Sequence, residues 1–267
     1  MKKTTISTNM AIIAVSIIMS LVSMAMAETT PIQYNCSHQV YDAFEKSELE
    51  AFTKVTGIPV DLALTSSYSC AHRIMQDMTD IAATTQALHK HHKDHGLIEV
   101  PFCKNPLAII ANKSLTVENI TRTELEEIFS GAITNWKELG GPDIPITLVV
   151  TDRDTSAHKF FSRQVMHHKE IEYDYTTSQP TRVLEAIESL PAGAVSFSFL
   201  GAQIRNHSIK TLTLDGKKPS DKEYPLYQTF YLVTKGQPKG SIKSFVDFIQ
   251  SDTAQAMIWS NGMLPIQ

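Results

Sequence analysis

The fold of this chain is decided by the stretch Glu124–Phe161, which has the sequence ELEEIFSGAITNWKELGGPDIPITLVVTDRDTSAHKFF. Its first part, Glu124–Leu139, has the apolar spacing of a helix, with Leu125, Ile128 and Phe129 at positions i, i+3 and i+4. Two glycines and a proline follow in succession, and this combination ends a helix and turns the chain. The pattern therefore predicts a helix that packs one apolar side on a core and stops at about residue 139.

The second part of the stretch predicts a strand that leads through a polar loop into another helix. Ile144–Val150 is rich in Ile and Val and too short for a helix, so we expect a buried strand. The polar residues 153–156 follow, and an apolar-periodic helix begins at about His158. Such a loop exposes backbone N–H groups that favour an anion, and Arg153 adds a permanent planar cation. The sequence therefore predicts an anion site at this loop.

Strand and helix patterns alternate along most of the chain. Strands are predicted at Ile32–Tyr34, Val60–Leu64, Ile81–Ala83, Leu107–Ala111, Ala194–Phe199 and Thr229–Val233. Further helices are predicted at Gln39–Thr56, Ala71–Met78, Thr181–Leu190, Ser241–Gln250 and Thr253–Ser260. Alternating strand and helix units indicate an α/β fold.

The first 27 residues have the pattern of a cleaved secretory signal. Lys2 and Lys3 supply its charge, Ala11–Met24 its apolar core, and Ala25–Ala27 a small-x-small cleavage site. The apolar core is short for a membrane span, and no cysteine lies near the cleavage site. We therefore expect a soluble periplasmic protein whose mature chain begins at Glu28.

The size and charge of the mature chain limit its partners. It has 240 residues, which is enough for two lobes with separate cores. Removal of Lys2 and Lys3 leaves 22 basic against 28 acidic residues, a net charge of −6. This charge disfavours nucleic acid or an anionic membrane as a partner. It does not exclude an anionic ligand, because the local field of a site decides binding.

Residues 128–146 resemble the periplasmic phosphate-binding proteins of ABC importers, with the pattern I-F-S-G-x-I-T-N-W-K-E-L-G-G-P-D-x-P-I. The similarity continues at Thr56–Val60, Asp80–Ala82, Gly193–Val195 and Asn261–Pro265, so it covers nearly the whole mature chain. A pattern of this length is specific to the family.

The resemblance implies a two-lobed type II periplasmic-binding-protein fold with the ligand cleft between its lobes. Two crossover strands, at Leu107 and Thr229, would join lobe I, residues 28–108 and 227–267, to lobe II, residues 109–226. Such a protein closes around its ligand by hinge bending. The implied function is that of a monomeric, non-enzymatic protein without a cofactor, which passes a small oxyanion to a membrane ABC permease or serves a sensor.

In the family, three loops rich in Gly, Ser and Thr hold the oxyanion at helix N-termini. The corresponding loops here are Asn35–His38, Ser67–His72 and Thr155–His158, and Arg153 is retained beside the third. Each loop keeps a serine but lacks the family's glycines, which let N–H groups approach a phosphate closely. The resemblance implies the following ligand-binding residues: Ser37, His38, Ser69, His72, Arg153, Ser156 and His158.

A metal or a metal complex is the alternative ligand, because each loop contains a histidine and two contain Cys-x-His. Imidazole and thiolate suit zinc or copper. The candidate metal ligands are Cys36, His38, Cys70, His72, Cys103 and His158. The tract at residues 89–95, HKHHKDH, is typical of metal-capture proteins and also of a solvated surface helix.

The same loop residues also have purely structural interpretations. The serines can cap helices without touching a ligand, at about 1 kcal/mol each. Cys36 and Cys70 can form a disulfide in an oxidising compartment, which would leave Cys103 as a buried odd thiol. A Cys–His hydrolase is the weakest alternative, because residues two apart on one loop are poorly placed for proton transfer.

Overall fold

The computed structural model describes residues 30–43, 46–199 and 208–266, so the predicted leader, residues 1–27, lies outside the described residues. The strands are β1 (Ile32–Ser37), β2 (Val60–Thr65), β3 (Ile81–Thr84), β4 (Leu97–Pro106), β5 (Ala108–Asn112), β6 (Asn119–Ile120), β7 (Thr147–Thr151), β8 (Tyr175–Thr177), β9 (Ala194–Ser198), β10 (Ile209–Leu214), β11 (Tyr227–Lys235) and β12 (Leu264–Pro265). The α-helices are α1 (His38–Ala43), α2 (Lys46–Thr56), α3 (Ser67–Met75), α4 (Lys90–Asp94), α5 (Arg122–Phe129), α6 (Ser156–Gln164), α7 (Pro180–Ser189), α8 (Gly240–Ile249) and α9 (Asp252–Ser260). The alternation confirms the predicted α/β class.

The strands form two six-stranded sheets joined by a double crossing. Their orders are β12-β4-β11-β3-β1-β2 and β6-β10-β5-β9-β7-β8. The chain leaves the first sheet at Leu107, between β4 and β5, and returns at Leu226, just before β11. The amide of Leu107 donates to the carbonyl of Leu226 (2.9 Å), and the Tyr224 hydroxyl donates to the carbonyl of Leu107 (2.8 Å). The two passages are therefore held side by side, as a two-lobed fold requires.

The parallel strands of both sheets end at this crossing. β11 begins there, and β3 pairs with it antiparallel, so β3 ends on the crossing side. β1 is parallel to both β2 and β3 and ends on the same side. In the second sheet β9 ends opposite the start of β5, with Ser198 paired to Ala108, and β7 and β8 run parallel to β9. The loops after these strands line one cleft, where open α/β sheets bind ligands.

Helices cover both faces of each sheet. In the first lobe, one face packs against α2, α8 and α9, and the other packs against α3. In the second lobe, α5 and α6 cover one face and α7 covers the other. The rings of Phe161 and Phe197 stack in this core with centroids 3.9 Å apart. Packed aromatic side chains of this kind fix the helices, and therefore hold the loops that line the cleft.

The stretch Glu124–Phe161 folds as a helix, a strand and a helix, but its first helix ends early. We expected that helix to reach about residue 139, whereas α5 ends at Phe129. Gly131 has φ +75°, a left-handed conformation that terminates an α-helix. The rest of the predicted helix is a single 3-10 turn, Trp136–Leu139. The prediction was wrong here because the local glycine outweighs the apolar spacing.

The family-like residues at Trp136 and Gly193 have a packing role. Trp136 is fully buried, and its Nε1 donates to the carbonyl of Gly193 at 3.0 Å. A Cβ at Gly193 would overlap the carbonyl of Pro145, so only glycine fits at this contact. These two landmarks therefore stabilise the second lobe and do not indicate a ligand.

Several other boundaries differ from the sequence prediction. The described residues of the predicted helix Gln39–Thr56 are helical, in α1 and α2. The helix predicted at Ala71–Met78 begins earlier, at Ser67. The crossing strand predicted at Leu107–Ala111 is β5, and the longer β4 before it was not predicted. Burial along β4 does not alternate regularly, so no period-two pattern marks it. Among the described helices, none has the length and apolar character that a membrane span requires.

Candidate functional site

The N-terminus of α3 lies at the cleft, four residues earlier in the chain than predicted. Ser66 is its N-cap and accepts a hydrogen bond from the amide of Ser69 at 3.2 Å. The predicted ligand Ser69 is therefore inside the helix, where its hydroxyl hydrogen-bonds that of Ser66 at 2.8 Å. The first helical amides belong to Ser67 and Tyr68, and a helix supplies no acceptor for them. The structure thus assigns the exposed N–H groups of this loop to residues that we did not predict.

The N-terminus of α6 provides a second set of donors across the cleft. Thr155 is the N-cap and accepts from the amide of His158 at 3.3 Å. Its hydroxyl is also hydrogen-bonded to that of Thr151, the last residue of β7, at 2.7 Å. Ser156, a predicted ligand residue, is the first helical residue and is exposed. We expected this helix to begin at about His158, and the Thr155 cap explains why it begins earlier.

His158 is buried and held by the backbone. Its Nδ1 lies 2.8 Å from the carbonyl of Thr151. Because a carbonyl only accepts, Nδ1 must carry the proton in this contact. The ring also packs edge-on against Phe197, with centroids 6.4 Å apart. This arrangement gives His158 a structural role in fixing α6 on β7.

The third predicted loop lies at the end of β1. Ser37 is buried, and its hydroxyl accepts from the amide of Val40 at 3.3 Å. It therefore caps α1, as one of the structural interpretations predicted. His38 is the first residue of α1 and is exposed. Both residues lie at the carboxyl edge of the first sheet, on the cleft side.

A neutral polar network joins the strand ends of the first sheet, and sequence analysis missed it. The hydroxyls of Ser67 and Thr85 are 3.1 Å apart. Gln228, near the crossing, donates to the carbonyl of Thr85 (3.2 Å), and Gln39 donates to the side chain of Gln228 (2.8 Å). The available signal was that hydroxyl residues follow the carboxyl ends of both β2 and β3. The network holds the donors of this edge in fixed positions.

Arg153 lies beside a pocket of about 640 Å³ next to α6. The pocket is lined by Arg153, His158, Lys159, Ser162, Arg163, His168, Lys169, Glu170 and Ile171. Arg153 is paired with Glu170 at 3.2 Å, and both side chains are about three-quarters exposed, at 73% and 74%. Two further cations of the lining are paired with carboxylates just outside it, Lys159 with Asp154 at 3.5 Å and Lys169 with Glu126 at 2.6 Å. The lining itself holds more basic than acidic side chains, which favours an anion near Arg153.

The three cysteines are buried thiols, and no disulfide is present in the described part of the chain. Cys36 packs on the α8 face of the first sheet with Cys103, whereas Cys70 packs on the α3 face. The sheet therefore separates Cys36 from Cys70, and their proposed disulfide does not form. The Cys70 thiol donates to the carbonyl of Ala83 at 3.3 Å, and burial raises its pKa to about 12. Cys103 contacts the sulfur of Met263 at 3.8 Å.

The structure does not bring the candidate metal ligands of the three loops together. His158 is tied to β7, the thiols are buried on two faces of a sheet, and His72 is exposed on the second turn of α3. In the described ranges, no three His, Cys, Asp or Glu residues are arranged to hold a metal ion. The geometry favours donors to an anion over ligands to a metal at the cleft.

The histidine tract at residues 89–95 forms the short helix α4 and its flanks, between β3 and β4. None of the residues of this helix is buried. Partial desolvation lowers the pKa of His92, and the charges of nearby histidines lower it further. His72 is among those histidines, so it belongs to the surroundings of the tract.

Comparison with known proteins agrees with this architecture. A family model described as PBP superfamily domain matches residues 23–253. The phosphate-binding protein PstS of Bacillus subtilis is 31% identical over 168 residues, and the match covers 60% of this chain and 55% of that protein. The PstS protein of Borreliella burgdorferi is 24% identical over 202 residues, with 70% and 72% of the two chains covered.

Solved structures share the fold over nearly the whole chain. An ABC-type phosphate transport receptor from Vibrio cholerae superposes with a TM-score of 0.71 at 21% identity, covering 88% of this chain and 99% of the other. A putative phosphate ABC transporter substrate-binding protein with bound phosphate, from Clostridium perfringens, gives 0.70 at 23% identity, with 89% and 100% covered.

Proposed function

This chain belongs to the PBP superfamily, and we propose that it captures phosphate in the cleft between its two sheets and delivers it to a membrane ABC importer. Its relatives in Bacillus subtilis and Borreliella burgdorferi are phosphate-binding proteins PstS, which supports the choice of ligand. The Clostridium perfringens structure with bound phosphate supports it as well. A periplasmic or extracellular location and a permease partner belong to the same proposal.

The observation that carries the proposal is the convergence of helix N-termini on one cleft from both sheets. α1 and α3 follow strands of the first sheet, and α6 follows β7 of the second sheet. Each N-terminus presents amides without intrahelical acceptors and the positive end of a helix dipole. Together they favour a small anion with several acceptor oxygens.

Specific donors from each side would complete the phosphate shell. The first sheet would contribute the amides of Ser67 and Tyr68 with the Ser67 hydroxyl. The second sheet would contribute the exposed hydroxyl and amide of Ser156, together with Arg153. None of these contacts needs glycine, because helix N-termini present their amides outward whatever the side chain. This explains how the site can work without the family's glycines.

Arg153 would leave Glu170 to pair with the phosphate. An exposed ion pair contributes at most about 1 kcal/mol, so its release costs little. A bidentate guanidinium–phosphate contact in a closed cleft is stronger, because it is charge-assisted and shielded from water. Glu170 would therefore hold the arginine only while the cleft is empty.

Calorimetric titration of the purified protein with phosphate tests the proposal. We expect one phosphate per chain, and a loss of affinity of at least about tenfold in Arg153→Ala, since a hydrogen bond to a charged group contributes about 1.5–3 kcal/mol. Lys243→Ala is the control. Lys243 pairs with Asp247 on α8, so this substitution removes the same charge from a paired residue elsewhere in the protein. Absence of phosphate binding by the wild type, or equal losses in both variants, would refute the proposed site.

A further inference from the structure

The tract outside the cleft gathers four histidines within seven residues, and the proposed function does not use them. They are His89, His91, His92 and His95, here called the histidine cluster. We propose that the histidine cluster is a surface site for one divalent transition-metal ion, which binds through imidazole nitrogens alone. The site is separate from the phosphate cleft and does not depend on it.

The spacing of the rings suits a shared metal ion. The ring centroids of His91 and His95 are 4.3 Å apart, those of His91 and His92 are 5.7 Å apart, and those of His89 and His92 are 5.8 Å apart. A ligating imidazole nitrogen lies about 2.0–2.1 Å from the metal, so two ligating rings have centroids about 5 Å apart. The observed separations lie on both sides of this value. In the proposed site, rotation of these side chains brings the rings into place.

One hydrogen bond already fixes His95 in the form that a metal requires. Its Nδ1 lies 2.8 Å from the carbonyl of His91, and the carbonyl can only accept. The proton is therefore on Nδ1, which leaves the lone pair of Nε2 for a metal. Metal-ligating histidines are commonly oriented by such a backbone contact. His91 and His95 are also four residues apart, the helical spacing of paired histidine ligands.

His92 supplies an independent observation that points to a ligand. Its Nδ1 is inaccessible to solvent and has no hydrogen-bond partner among the described residues. A buried polar nitrogen without a partner is costly, and metal coordination would remove that cost. His92 is therefore the third ligand of the proposed site.

Neighbouring charges do not oppose a cation at the cluster. Lys90 is paired with Asp94 at 2.7 Å, and Lys93 is paired with Glu99 at 2.5 Å. Each lysine charge is thus offset by a carboxylate within the same turn or the adjacent strand.

The described residues contain no complete set of three ligands already in place, so metal binding must order the imidazole rings of the cluster.

The ligand chemistry selects the class of metal. Imidazole suits copper, nickel and zinc, whereas calcium and magnesium prefer oxygen. The cysteines are buried and supply no thiolate. A site of neutral nitrogen ligands follows the usual affinity order of divalent ions, in which Cu²⁺ exceeds Ni²⁺ and Zn²⁺. We therefore expect Cu²⁺ to bind most tightly.

The cluster and the cleft use different residues. His89 follows Thr85 by four positions, and the chain then continues to Leu97, at the end of β4 that is opposite to Pro106 and the crossing. None of the donors proposed for phosphate is a histidine of the cluster, so metal and phosphate can be titrated as separate ligands.

The test is calorimetric titration of untagged protein with Cu²⁺, Ni²⁺ and Zn²⁺ in a buffer that does not chelate metals. We expect one Cu²⁺ per chain. The double variant His91→Gln, His95→Gln should lose at least about tenfold in affinity, the scale of loss when the shell of a metal site is disturbed. His167→Asn is the control: it removes an exposed histidine elsewhere, and asparagine tolerates the left-handed backbone at that position, φ +50°.

Electron paramagnetic resonance of the Cu²⁺ complex identifies the ligands. Nitrogen hyperfine coupling that disappears in the double variant supports the cluster. Absence of Cu²⁺ binding by the wild type, or equal affinity in wild type and double variant, would overturn the inference. Phosphate affinity of the double variant is measured in parallel. An unchanged phosphate titration beside lost Cu²⁺ binding distinguishes the two sites, and failure of either proposal leaves the other measurable.

Discussion

The cleft has two edges: the strand ends and following loops of the first sheet, here called the first edge, and those of the second sheet, here called the second edge. The two edges have the same topology but different chemistry. On each side, parallel strands end at the crossing and lead into helix N-termini. The first edge holds its donors through a neutral network of Ser67, Thr85 and Gln228. The second edge adds Arg153 and the basic residues beside α6.

This difference indicates a division of roles between the lobes. Neutral, fixed donors define where acceptor oxygens must lie, so we assign selectivity to the first edge. Cations attract the anion before contact and stabilise it afterwards, so we assign the neutralisation of the phosphate charge to the second edge. A chain with net charge −4 can bind an anion in this way, because the positive potential is local.

The largest predicted effect comes from placing a carboxylate at either helix N-terminus. Ser67→Asp and Ser156→Asp should each weaken phosphate binding more than about a hundredfold, because like charges 4 Å apart repel by about 4 kcal/mol near a protein surface. Neither variant should unfold the protein, since an acidic residue favours a helix N-terminus. Calorimetry and thermal unfolding measure the two effects.

The two aspartate variants together test whether both edges bind the same phosphate ion. Full phosphate affinity in Ser67→Asp, with loss in Ser156→Asp, would restrict the site to the second lobe. The matched controls are Ser67→Asn and Ser156→Asn, which change size without charge.

A smaller effect is expected from the neutral network. Thr85→Val keeps the shape of the side chain and removes the hydroxyl that contacts Ser67. Phosphate affinity should fall about two- to tenfold, because one neutral hydrogen bond contributes about 0.5–1.5 kcal/mol. Selectivity for phosphate over sulfate should change more than in Arg153→Lys. Equal selectivity for phosphate over sulfate in Thr85→Val and Arg153→Lys would contradict the assignment of selectivity to the first edge.

The smallest predicted effect concerns the chemical reactivity of Cys70, whose thiol is buried between α3 and the first sheet. Burial raises the pKa of Cys70 to about 12, so the thiol stays protonated at pH 8 and does not react as a thiolate. Iodoacetamide should leave the native protein unmodified at this pH and label three cysteines after denaturation. Mass spectrometry measures both states. Rapid native labelling of Cys70 would show that α3 opens from the sheet, and the first edge would then not be rigid.

The sequence predicted the fold because its main signals are local or form long patterns. Apolar periodicity located most elements, and the family-like residues 128–146 identified the architecture. β4 escaped prediction because burial along it does not alternate regularly, so no period-two pattern marks the strand.

The candidate site was harder to predict, because hydrogen bonds between neighbours decide it. Three serines occur at Ser66, Ser67 and Ser69, and only the contact from Ser69 to Ser66 shows which one caps α3. The partner of Arg153 is Glu170, seventeen positions later, and no local pattern indicates that pair. The sheet between Cys36 and Cys70 likewise has no signature in the loop sequences.

The central claim is that both edges close on one phosphate, and small-angle X-ray scattering tests it most directly. Protein is measured without ligand and with saturating phosphate, at matched ionic strength, after calorimetry has established saturation. Closure about the crossing at Leu107 and Leu226 predicts a smaller radius of gyration with phosphate. An unchanged radius in protein that has bound phosphate would contradict the account.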